Sequence, residues 1–222
     1  MTTTPGTALT ITKLDVVMGG TPIVRGVSLT LEAGSVTAVV GRSGAGKSVL
    51  WKAVAGLIPR SGGDVVVGVP PLVFVHQDPA LLDDRSVADN LIFFALARRD
   101  PVQQSVRDVE AHAIDVAALL GIGHLWSVSA AALSPALCRR VALGRALMLR
   151  PGVLVVDEPT TGLDVVAAAE VTNALVDQAA QATGALVVIT HHPRTLAALQ
   201  AVPGCRTLLV HDGGLSETWR AA

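Results

Sequence analysis

The sequence predicts an α/β protein with a mostly parallel sheet, preceded by antiparallel strands and interrupted by a helical subdomain. Three observations lead there. The apolar run at 35–40 (SVTAVV) meets a glycine-rich loop and then a helical pattern, SVLWKAVAGL. From Val153 onward, strand and helix patterns alternate: VLVV, a helix from about Asp164, ALVVIT, a short helix after Pro193, then TLLV. Strands that alternate with helices pack as a parallel sheet covered by helices. Between these two regions, from Ser86 to about Leu149, the pattern is almost wholly helical.

Element by element, Leu9–Leu31 carries short β-type runs divided by Gly19-Gly20 and Gly26, as expected of antiparallel strands. VVV at 65–67 and LVFVH at 72–76 are two more strands on either side of Pro70-Pro71. The helical stretch from Ser86 to about Leu120 is in two pieces broken at Asp100-Pro101, and a third helix runs from about Ser134 to Leu149. The chain is expected to be one domain over 1–222, with its helical subdomain at approximately 80–150.

The 222 residues carry a formal charge of −1, with no basic tract and only three lysines, at positions 13, 47 and 52. That argues against a nucleic-acid partner, which would need many phosphate contacts. No apolar run approaches the roughly 18 to 20 residues that cross a bilayer. MTTTPGTALT has neither a basic nor an apolar leader region, so the chain is expected to be soluble and to stay in the cytoplasm. Cys138 and Cys205 have no metal or redox spacing.

Gly41-Arg42-Ser43-Gly44-Ala45-Gly46-Lys47-Ser48 fits G-x-x-x-x-G-K-[ST]. Such a loop turns successive N–H groups inward around a phosphate at the positive end of the following helix. Lys47 would reach the β- and γ-phosphates and Ser48 would place its hydroxyl on Mg²⁺. The fold expected is therefore a P-loop NTPase core. VLVVDE at 153–158 supplies the other half, an apolar strand that ends in two carboxylates at the carboxyl edge of the sheet. Asp157 would hold Mg²⁺ and Glu158 would polarise the attacking water.

With these motifs in order, followed by VDEPTTGLD and VVITHH, the chain resembles the ATP-binding-cassette (ABC) ATPases over almost its whole length. The resemblance implies ATP and Mg²⁺ as ligands. It implies that Gln77 in FVHQDPALL senses γ-phosphate and Mg²⁺, and that Asp164 lies at a dimer interface, where it could also cap a helix. It makes His191 the residue at γ-phosphate, with His192 its neighbour; His76, His112, His124 and His211 are expected to be structural.

Two departures stand out. Met18 occupies the position of the family's adenine-stacking aromatic, and the stretch from Lys47 to Gln77 is short, so a trimmed β-subdomain is expected. Leu133-Ser134-Pro135-Ala136-Leu137 stands where the family has LSGGQ, which closes over the ATP of the other subunit. Pro135 has no N–H, but Ser134 is a good N-cap, and the N–H groups of Ala136 and Leu137 are expected to face an anion still.

The resemblance implies the ATPase subunit of a membrane transporter, peripheral on the inner face of the cell membrane. It would pair with a second ATPase subunit, the same or different, and drive separate transmembrane permease subunits. The altered signature suggests slow hydrolysis or an asymmetric pair. The alternative is a nucleotide-gated regulatory or assembly protein of the same fold. GKSVLWKAVAGL and DEPTTGLD also resemble ATPases of bacterial phospholipid-trafficking systems of the Mla and mammalian-cell-entry type.

Overall fold

The computed structural model describes residues 6–98, 105–181 and 184–217. Strands β1 (Thr7–Met18) and β2 (Thr21–Glu32) form a long hairpin, which β4 (Gly62–Val67) joins in the antiparallel order β2-β1-β4. Gly26 does not divide the hairpin as the sequence suggested. Leu14 pairs with Val27 and Val16 with Val24, so β2 carries an extra residue there and bulges. Gly26 sits at the bulge and its N–H donates to Asp15 Oδ1 at 2.7 Å, so β2 continues past the irregularity.

The main sheet contains β3 (Val36–Val40), β5 (Leu72–Val75), β6 (Val153–Asp157), β7 (Ala185–Ile189), β8 (Arg206–His211) and β9 (Gly214–Glu217). Their order is β5-β6-β7-β3-β8-β9, and every neighbouring pair is parallel except β8 with β9. All residues of β6 and β7 are buried, because the sheet is covered on both faces.

Successive side chains of a strand point to opposite faces, and here the two faces meet different partners. Val36, Ala38, Leu154, Val156, Leu186 and Val188 pack against α2 (Val87–Arg98), α3 (Val106–Leu119), α4 (Pro135–Leu147), α5 (Val165–Gln181) and α6 (Pro193–Gln200). Val39, Val153, Val155, Val187 and Ile189 pack against α1 (Lys47–Val54) and the antiparallel sheet. The second face is thus covered mainly by strands, where the sequence pattern suggested helices.

Helices α2, α3 and α4 lie between β5 and β6 with two short 3-10 turns, Gly123–Leu125 and Ala130–Ala132. Their apolar stripes belong to the same buried cluster as one face of the sheet. The break expected at Asp100-Pro101 lies outside the described residues. For function the decisive feature is strand order. With β7 between β6 and β3, the loop after β3, the acids that end β6 and the histidines after β7 share one edge.

Candidate functional site

The loop from Gly41 to Ser48 leaves β3 and enters α1. Two glycines in it are required by geometry. Gly41 has φ 151°, and a Cβ there would collide with the Val210 carbonyl of β8. Gly46, the N-cap of α1, has φ 91°, and a Cβ would lie 3.1 Å from Ile23 Cγ2 of β2. Both positions need the left-handed region that glycine enters without steric cost. Lys47 Nζ donates to the carbonyls of Gly41 at 2.8 Å and Arg42 at 3.0 Å, which pins the loop and leaves the third ammonium proton uncommitted. No side chain caps α1, so its first N–H groups are open to an anion.

Asp157 closes β6 and is only 7% exposed. Burial pushes its carboxyl above the usual carboxylate range; the Ser48 hydroxyl hydrogen-bonds to it and opposes that shift, the Glu158 charge adds to it, and Lys52 and Lys47 pull it back. Glu158, also 7% exposed, has φ 51°, a backbone conformation costly for a residue with a side chain. Surrounding contacts hold it: its N–H donates to Ile189 O at 2.9 Å, and its Oε1 accepts from His191 N–H at 3.1 Å. His191 Nδ1 is 2.5 Å from the same Oε1, and the Thr190 hydroxyl donates to Oε2 at 3.4 Å. His191 therefore meets Glu158. His192 turns the other way, as N-cap of α6 with its N–H on Thr190 Oγ1 at 3.0 Å.

An open cleft of about 660 Å³ runs along this edge, with Ser48, Lys52, Gln77, Asp157 and Arg139 on its walls. Gln77 is exposed after β5. The structure thus brings Ser48, Gln77 and Asp157 to one cleft, and Glu158 to its narrower continuation beside Gln77 and Arg139. Met18, Ser134 and Asp164 do not line it, and neither do His191 or the loop residues from Gly41 to Lys47, which border the same sheet edge. Met18 is 49% exposed at the tip of the β1–β2 hairpin. Asp164 caps α5, its Oδ1 accepting from Ala167 N–H at 2.9 Å.

At α4 the expectation of two open donors is corrected. Ser134 is the N-cap and Pro135 the first helical residue, but the Leu137 N–H donates back to Ser134 Oγ at 3.4 Å. Only Ala136 of the three starting residues keeps a free-standing donor in prospect, because Pro135 has none.

Among the other histidines, His76 packs edge-on to Phe74 with ring centres 4.8 Å apart, and burial holds His112 below the usual imidazole range. Thr190 and Arg139 were not singled out by sequence reasoning. A threonine at a strand end carries no pattern, and Arg139 is indistinguishable by sequence from its neighbour Arg140.

A metal at this edge would meet mainly oxygen donors, the Asp157 carboxylate, the Ser48 hydroxyl and the Gln77 amide, with Asp78 and the His76 ring on the same walls. That set fits Mg²⁺, which takes few protein ligands and completes its shell with water and phosphate. No group of three or more His, Cys, Asp or Glu suited to a metal occurs among the described residues, so no all-protein cage competes with this edge.

Residues 24–161 match the family described as ABC transporter, which is more than half of the chain. The chain belongs to the ABC transporter family. Its cassette is 34% identical over 217 residues to an aliphatic sulfonates import ATP-binding protein of Pseudomonas entomophila, covering 95% of this chain and 75% of that protein. It is 32% identical over 194 residues to a sulfoquinovosyl glycerol transport ATP-binding protein of Agrobacterium fabrum, covering 83% of this chain but only about half, 53%, of the relative. A tungstate uptake system ATP-binding protein of Peptoclostridium acidaminophilum is 31% identical, with 82% of this chain and 86% of the relative covered. The fold matches a dimeric ATP-binding cassette bound to ADP and Pi with a TM-score of 0.81 at 19% identity, over 96% of this chain and 99% of that one. These relatives lend the cassette no support as a lipid-trafficking ATPase.

Proposed function

We propose that this cassette binds and hydrolyses ATP with Mg²⁺, as one of a pair of ATPase subunits that energise separate transmembrane permease subunits of an importer. The observation that carries this reading is Glu158, buried at the sheet edge and oriented by His191 beside Asp157 and the phosphate loop. Gly41, Arg42, Ser43, Gly44, Ala45 and Gly46 turn around the phosphates, and the uncapped start of α1 faces them. Lys47 offers its remaining ammonium proton. Ser48, Asp157 and Gln77 would hold Mg²⁺, which when bound would neutralise charge on the phosphate oxygens. Glu158 accepts a proton from the attacking water, and His191 keeps the carboxylate aimed while its own exposed ring faces the γ-phosphate. Met18, exposed at the tip of the β1–β2 hairpin and outside the cleft, would offer adenine a thioether where the family has an aromatic ring.

Uptake as the direction is supported by the sulfonate and tungstate relatives, both named for import or uptake. No helix among the described residues is long and apolar enough to cross a membrane, which fits a cytoplasmic subunit held on the inner face by its permease. The test is Glu158→Gln in the chain co-purified with its permease. Phosphate release should fall at least about a hundredfold while ATP binding persists; turnover within about threefold of wild type would remove Glu158 from the chemistry.

A second reading rests on α4. With Pro135 lacking an N–H and Leu137 bonded to Ser134, this helix is a poor cover for a partner's ATP. That favours an asymmetric pair with a different ATPase subunit, or a slow symmetric one; Asp164 would lie in that interface. Co-purification of a second, distinct ATPase at equal stoichiometry supports the asymmetric pair, and a single ATPase species overturns it.

A further inference from the structure

Helix α4 carries three arginines, and two are committed. Arg140 Nη1 donates to Leu120 O at 3.1 Å and its Nη2 pairs with Glu170 at 3.2 Å. Arg145 donates to the carbonyls of Ala80 and Pro79 at 3.1 and 3.0 Å and lies over the Phe94 ring. Arg139 is different. Half-buried, it makes no hydrogen bond or ion pair with any described residue. Yet it lines the cleft with Ser48, Gln77 and Asp157, and also the narrow recess with Glu158 and Pro159.

Of the carboxylates on those walls, Glu158 is engaged by His191 and Thr190 and Asp157 by Ser48, while Asp78, which also lines the cleft, makes no ion pair with Arg139. The guanidinium rests against the turn between β6 and α5, where its Nη1 would be 3.2 Å from a Cβ at residue 162, so Gly162 leaves it room. A half-buried cation with unused donors has lost part of its hydration without gaining a partner. A planar guanidinium with five N–H groups is suited to a phosphate arriving at that edge.

Building on the ATP-binding reading above, we propose that Arg139 is a further phosphate-binding residue of this chain's own nucleotide cleft, contacting the γ-phosphate from the α4 side. A cation in this place tells a nucleoside triphosphate from a diphosphate.

The test is equilibrium binding by the full chain, with Mg²⁺ present, of ADP and of the non-hydrolysable β,γ-imido analogue of ATP. Arg139→Gln should weaken the triphosphate about tenfold and leave ADP within about twofold. Arg139→Lys keeps the charge but loses the fork, and should weaken the triphosphate by only about threefold. Equal loss for both nucleotides, as expected of a merely structural side chain packed on Gly162, would overturn the proposal, as would no loss at all. If Arg139→Gln does not fold, Arg139→Lys decides by the same ratio. A wild-type chain that binds neither nucleotide would instead overturn the ATP-binding reading on which this one rests.

Discussion

Helices α1 and α4 both begin beside a predicted phosphate-binding motif, and they begin in opposite ways. At α1 the N-cap is Gly46, held in the left-handed region with no side chain to cap the helix, so the first N–H groups are left for a ligand. At α4 the N-cap is Ser134, whose hydroxyl accepts from Leu137, and Pro135 contributes no donor. A serine cap with proline next to it makes a good isolated helix start. The comparison teaches that what stabilises a helix terminus and what makes it bind an anion compete for the same few N–H groups.

Exchanging the two chemistries is the sharpest way to break the contrast. Gly46→Ser gives α1 a side-chain cap and forces a Cβ into φ 91° near Ile23. ATP affinity should fall at least about tenfold, and the chain should lose about 1–3 kcal/mol of stability in denaturant titration. Unchanged affinity would mean that the open N–H groups of α1 do not carry the phosphate. The reverse exchange, Pro135→Gly, restores one donor to α4. Phosphate release by the assembled transporter should rise about twofold to fivefold if the α4 start limits hydrolysis. No rise, or a fall, would show that this helix does not set the rate.

A smaller effect concerns the acids that the loop faces. Asp157 is raised above its unfolded value mainly by burial, so its folded carboxyl holds a proton more tightly than the unfolded one. Its ionisation therefore opposes folding once pH exceeds the unfolded value, and the penalty is complete above the folded value. Asp157→Asn should stabilise the nucleotide-free chain by about 1 kcal/mol at pH 7 and have no such effect at pH 3. The same variant should lose Mg²⁺-dependent turnover. A loss of stability at pH 7 would show that Ser48 and the lysines more than offset the burial of the charge.

Much of the fold and half of the site were legible in the chain. The phosphate loop is read from contiguous residues, because its chemistry is local: glycines for the turn, a lysine and a serine at set offsets from it. The β6 strand and its Asp157-Glu158 end are legible for a similar reason, as are the Ser134 and Asp164 caps, which are fixed by residues three positions away. Gly26 was misread because a glycine between two β-type runs looks the same whether it ends a strand or sits in a bulge; only the partner strand's register tells them apart. The choice between His191 and His192 was open for a like reason. Adjacent residues leave a strand in opposite directions, and the side that faces Glu158 depends on where β7 lies against β6.

The sequence alone determined that this chain is an ABC cassette with a phosphate loop and a strand ending in paired acids, since each is written in a run of neighbouring residues. Only the tertiary structure decided that Arg139 and not Arg140 faces the cleft, that His191 holds Glu158, and that the Leu137 N–H is spent on Ser134. Those outcomes depend on contacts between elements distant in sequence, or on the rotamer a side chain adopts at a helix start. Neither is fixed until the sheet order β5-β6-β7-β3 has gathered the strand ends at one edge.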